Sequence, residues 1–164
     1  MKHGLIIALS LFATGAVAQD DVVFHRELVQ QCFDKARAYG GTDSCIGSAA
    51  DLCMEQNEGG YSTYGMSYCI SLESEWWDEA LNFEYARALS EAAFLDGELS
   101  EDLPSVAEAL REMQRAWITY RDASCAFEAA QWGGGTGAGP AYNGCVMRLT
   151  AEQAITLGGS FVDF

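Results

Sequence analysis

The sequence predicts an all-α fold, a small disulfide-stapled bundle of about four to five helices. Three observations predict it. Apolar residues recur at three- and four-residue spacing over long stretches. No segment alternates with period two for long enough to make a strand. The interruptions are glycine clusters, which end helices because glycine enters left-handed geometry cheaply.

The first helix is expected over Asp20–Tyr39. Val23, Leu28, Cys32 and Ala36 mark its apolar face, and Gly40-Gly41 stops it. A short second helix is expected from about Gly47 to Gln56, with Ala49, Leu52 and Cys53 inward and Gly59-Gly60 as its stop. The longest helix is expected from about Gly65 to Leu95, capped by Ser62 or Thr63. Trp77, Leu81, Tyr85, Ala88, Ala92 and Leu95 form its stripe, and Asp96-Gly97 ends it. A fourth helix is expected from near Asp102, with Pro104 in its first turn. Val106, Leu110, Met113, Trp117, Tyr120, Ser124 and Phe127 then alternate four and three, a heptad-like seam. The Gly133–Gly139 run interrupts it. A last helix from about Pro140 to Leu157 carries Ala141, Cys145, Leu149 and Ile155.

The first 18 residues read as a secretory signal peptide. A short basic start precedes an apolar run too brief to span a bilayer, and Ala16-Val17-Ala18 is a small-x-small cleavage site. One domain is expected over residues 19–164. No later run is long enough for membrane insertion. Export places the chain in the periplasm or outside the cell, where cysteines pair.

All six cysteines follow the leader. Cys125–Cys145 is the favoured bridge, because a glycine loop lets two helices fold back with these residues at matching heights. Cys32–Cys45 and Cys53–Cys69 are the short closures that remain.

Lys and Arg number 9 against 24 Asp and Glu, a formal charge of −15. Loss of Lys2 with the leader takes it from −15 to −16. Such a surface repels phosphate, so nucleic acid is excluded as a partner. Apolar residues make up 49%, which excludes a disordered composition.

The residues supply little for catalysis. After the leader the one histidine is His25, beside Arg26 near the new terminus, and it reads as an exposed bystander. Glu73, Glu75, Asp78, Glu79 and Glu84 read as a solvated helix face. No CxxC occurs, so neither a zinc site nor a thioredoxin-type centre is expected. The acidic stretch from Asp96 lacks Gly at the sixth position of a calcium loop and Glu at the twelfth. No Lys-Ser/Thr pair follows the glycine run, so it is not a phosphate loop. No metal, cofactor or enzyme activity is expected.

Four motifs occur together: Trp77-Asp78-x-x-Leu81-Asn82-x-x-Tyr85, Gln114-x-x-Trp117-Ile118-x-Tyr120-Arg121-Asp122-x-x-Cys125, the Gly133–Gly139 stretch before Tyr142 and Cys145, and Leu149-Thr150-Ala151-Glu152-x-Ala154. In these the chain resembles the lysozyme inhibitor LprI-like N-terminal domain family of exported bacterial proteins. The resemblance spans about residues 69–157 and leaves 19–68 as an N-terminal helical extension. Family members commonly carry an arginine where this chain has Gln153.

The motif residues Trp77, Asn82, Tyr85, Gln114, Trp117, Tyr120, Arg121 and Asp122 read physically as fold-specifying. The aromatics are expected in the core, with Arg121 pairing to a carboxylate or to the Asn82 amide between helices. Two functions fit. One is a binding protein that inhibits a cationic lysozyme by occluding its cleft. Its candidate contact is the loop bearing Trp132, Gly133, Gly134, Gly135, Thr136 and Gly137, with Tyr142 at its edge. The other is an envelope scaffold or stress module that binds another exported protein and inhibits nothing.

Overall fold

A computed structural model describes residues 22–39, 44–100 and 102–161. The expected leader, Gly40-Gly41 and the last three residues lie outside them. The described residues form α1 (Arg26–Tyr39), α2 (Ser48–Gln56), α3 (Thr63–Glu98), α4 (Val106–Ala130) and α5 (Ala138–Gly158), with no strand among them. The all-α, disulfide-stapled bundle is thus the observed fold. Cys32–Cys45 ties α1 to the segment before α2, Cys53–Cys69 ties α2 to α3, and Cys125–Cys145 ties α4 to α5.

Helix α3 is the axis on which α5, α2 and α4 pack. Trp77 lies at its centre with no exposed surface, between Phe33 of α1 and Trp76, in edge-to-face contacts. Ala88 and Ala92 are fully buried further along α3, and Ala151 and Ala154 on α5. Small side chains at these positions let the two helix backbones approach closely.

Several boundaries depart from expectation. α1 begins at Arg26, not Asp20. Val23 lies before it, 44% exposed, because the Asn57 side chain grips the extended strand-like segment: it accepts from Val23 N–H (3.0 Å) and donates to Val23 C=O (2.9 Å). At the start of α3, Ser62 is the cap and accepts from Gly65 N–H. Asp96-Gly97 does not stop α3, which runs on to Glu98. Instead the Asp96 carboxylate crosses to α4 and accepts from Ser105 Oγ and the N–H groups of Val106 and Ala107. These bonds hold its pKa below the usual aspartate range, with the Ser105 hydroxyl the largest cause. α4 accordingly starts at Val106 behind the Ser105 cap, and Pro104 precedes the helix.

The seam expected on α4 is rotated. Met113, Tyr120 and Phe127 face outward, the last two 61% and 69% exposed. Ala107 and Cys125 are buried, and Leu110, Gln114, Trp117 and Arg121 share their half-buried face. Gln114 faces inward because α5 offers it a partner: Gln153 donates to Gln114 Oε1 at 3.0 Å.

The acidic face of α3 is the largest correction. Glu73 and Glu84 are each 1% exposed. Glu73 accepts from Gly47 N–H (2.7 Å), Ala50 N–H (2.8 Å) and Trp77 Nε1 (3.0 Å). It stands at the N-terminus of α2, where the helix dipole favours a negative charge. Glu84 pairs with Arg87 at 2.7 Å and Arg37 at 3.2 Å. Arg87 then reaches the carbonyls of Leu157, Gly158 and Ser160, capping the C-terminal end of α5 with a cation. A buried charge is tolerated only with such partners.

Candidate functional site

The α4–α5 connection is a built turn. Gly133 and Gly134 have φ of +56° and +83°, a left-handed geometry that any residue with a Cβ resists. Backbone bonds run from Gly133 N–H to Ala130 C=O, from Gly135 N–H to Trp132 C=O and from Ala138 N–H to Gly135 C=O. The Trp132 ring lies over Gly137, where an added Cβ would sit 2.3 Å from a ring carbon. Trp132 is still 55% exposed, and residues 133–136 are exposed. Cys125–Cys145 closes the base of the connection over 20 residues, worth about 3 kcal/mol in chain entropy. The loop therefore presents an aromatic ring and bare backbone with little freedom left to lose.

Tyr142, on the first turns of α5, lines a groove of about 480 Å³ between α3, α4 and α5. Glu75, Asp78 and Glu79 form its α3 wall, Asn143 and Thr150 belong to α5, and Arg121 comes from α4. The Arg121 guanidinium lies 5.1 Å from the Trp117 ring centre and donates twice to Asp122 Oδ1. Asn82 turns to Asp78 on its own helix instead, at 2.9 Å. Of the two partners expected for Arg121, it meets a carboxylate, though on its own helix, and not the Asn82 amide. Arg121 satisfies itself with the next residue in sequence.

Of the motif residues, Trp77 is fully buried, Tyr85 and Trp117 are half-buried against the main core, and Tyr120 is exposed. The groove brings together Arg121, Tyr142 and three acids that sequence reasoning left on a solvated face. A signal for it was present: Glu75, Asp78 and Glu79 share one side of α3 by spacing. What sequence could not supply was the wall opposite them.

His25 is half-buried. Its two ring nitrogens lie 2.8 Å from Glu27 and 3.0 Å from Gln56. These bonds, with Glu27 first, raise its pKa above the ordinary histidine value. It ties the start of α1 to the end of α2. Among the described residues no group of His, Cys, Asp or Glu has the arrangement to hold a metal ion, and no helix is long and apolar enough to cross a membrane.

The family model described as lysozyme inhibitor LprI matches residues 53–157. The match begins earlier than Cys69 and so takes in the last turn of α2 and the Cys53–Cys69 bridge. An uncharacterized 17.7 kDa protein from the region 5′ of puhA in Rhodobacter capsulatus is 25% identical, over 93% of this chain and 91% of its own length. An uncharacterized protein of Rhizobium meliloti (strain 1021) is 29% identical, over 58% of this chain and 71% of its own. No solved structure matches.

Proposed function

The chain belongs to the lysozyme inhibitor LprI family, and from that premise we propose that it is an exported, acidic binding protein that inhibits a cationic lysozyme by seating its α4–α5 loop in the enzyme's cleft. Three disulfides and the family fit an extracytoplasmic protein. The periplasm, reached through removal of residues 1–18, is the compartment we assign. The protein works by binding, and catalysis is no part of this reading.

The observation that carries the proposal is the loop itself. It is exposed, internally hydrogen-bonded and stapled, so seating it costs little ordering entropy. Its glycines bring backbone into a sugar-binding cleft without side-chain clash, and Trp132 supplies an aromatic face. Acidity steers the approach to a basic enzyme and sets the on-rate more than the affinity.

The test is inhibition of a c-type lysozyme by the oxidised protein, at low and moderate salt. The expected result is saturable inhibition near one-to-one, weakened by salt because exposed charges are screened beyond roughly 8–10 Å. Replacing residues 131–137 with a Ser-rich segment of equal length should abolish it while the melting temperature holds. No inhibition by the unaltered protein would favour an envelope scaffold that binds another exported protein. The outward apolar residues of α4, Met113, Ile118, Tyr120 and Phe127, are the observation that such a reading would use.

A further inference from the structure

We propose that the groove between α3, α4 and α5 is a second contact, a pocket for an arginine side chain of a basic protein partner. The proposal rests on the inhibitor reading for the kind of partner, and on the groove's own chemistry for the ligand.

The charges decide first. Glu79 is paired with Arg26 at 2.7 Å, and Arg121 is paired with Asp122. That leaves Glu75 and Asp78 facing the groove with no cation paired to either among the described residues. Asp78 accepts only the neutral amide of Asn82. Glu75 and Asp78 are three apart on α3, so their carboxylates rise from one face. The groove therefore carries net negative charge although a cation forms part of its wall.

Thr150 is the independent observation. It lines the groove with 2% of its surface exposed, and its hydroxyl has no hydrogen-bond partner among the described residues. No described side-chain oxygen or nitrogen is both sealed and unpaired. The accessible sliver of Thr150 is therefore its hydroxyl, which opens onto the groove. The protein gives this hydroxyl no partner of its own, so a donor brought into the groove by a ligand makes a hydrogen bond there without displacing one within the fold.

A guanidinium matches this set. It offers five donors in a plane, two carboxylates at the rim can take its charge, and the Thr150 hydroxyl and Asn143 carbonyl can accept the remainder. The Tyr142 ring provides a wall on which the plane can lie. An ammonium has three donors and no plane, so lysine is the poorer ligand.

The experiment uses the full oxidised protein and no lysozyme. Amide chemical shifts are followed by NMR during titration with Nα-acetylarginine methylamide, its lysine counterpart and its citrulline counterpart, the neutral isostere. The expected result is saturable shifts at residues 71–79 and 142–150 with arginine, weaker ones with lysine and none with citrulline. Combining Glu75→Gln with Asp78→Asn should weaken arginine binding several-fold in a protein whose spectrum is otherwise folded. Thr150→Val should weaken it less. Equal response to citrulline, or arginine shifts scattered over the acidic surface and unchanged in the double variant, overturns the pocket. A failed titration beside loop-dependent inhibition removes the pocket and leaves the loop. A saturable titration beside no inhibition leaves the pocket and removes the inhibitor.

Discussion

Glu73 accepts the indole N–H of Trp77 one turn along α3, at 3.0 Å, and neither side chain is more than 1% exposed. The same carboxylate takes two N–H groups at the start of α2. One acid thus orients the central tryptophan and fixes a neighbouring helix. Glu73→Ala strands three donors, so it should cost about 3 kcal/mol or more. Glu73→Gln, which keeps an acceptor oxygen, should cost less. Thermal melting of both variants checks this, and a negligible change in Glu73→Ala would mean that water reaches the donors.

The two motif tryptophans should behave differently. Trp77→Ala removes a side chain with no exposed surface and should cost about 3–5 kcal/mol. Trp117→Ala removes a half-buried ring and its cation–π contact with Arg121, for about 1–2 kcal/mol. Urea titration ranks them; equal losses would place Trp117 deeper than its face of α4 allows.

Acid should loosen the start of α4. The Asp96 pKa is lowered by its bonds to Ser105, Val106 and Ala107. A group lowered on folding contributes fully above its unfolded pKa and loses that contribution as pH falls through the folded one. In Asp96→Asn the decline in stability through the acid side of the usual aspartate range should be shallower than in the unaltered protein. Melting temperatures taken at intervals from neutral pH downward would show whether the two curves converge.

Cys125→Ala with Cys145→Ala opens the base of the loop. Releasing a closure of 20 residues should cost about 3 kcal/mol. If the loop binds lysozyme, inhibition should fall further than the stability loss explains, because a loose loop must be ordered on contact. Inhibition measured well below the variant's melting temperature separates the two effects.

Gly137→Ala is the gentler probe. Its Cβ would meet the Trp132 ring at 2.3 Å, and an exposed ring can swing away. Stability should change by less than about 1 kcal/mol, while inhibition weakens because the ring has left its place. Tryptophan fluorescence reports the displacement directly.

The five helices were legible because apolar spacing and glycine clusters are local signals. The burial of Glu73 and Glu84 was not, since their partners, Gly47, Ala50 and Arg37, lie 23 or more residues away. On α4 two faces compete. One runs through Met113, Tyr120 and Phe127, the other through Gln114, Arg121 and Cys125, and both include Leu110 and Trp117. Apolar count favours the first, but α5 supplies Gln153 to the second. Asp96-Gly97 failed as a stop because the carboxylate had work across the turn, at the N-terminus of α4. The loop was visible in its glycines. The groove was not, because its walls come from three helices.

The three bridges take the cysteines two at a time in chain order, first with second, third with fourth and fifth with sixth, at separations of 13, 16 and 20 residues, and none crosses another. An oxidant meeting the polypeptide as it emerges from a membrane, amino end first, makes the native set by joining each thiol to the next one to arrive. No wrong link need form and none need be reshuffled. Assembly of this chain should accordingly depend on a thiol oxidase far more than on a disulfide isomerase, and its yield in a cell should follow the supply of the first and ignore loss of the second.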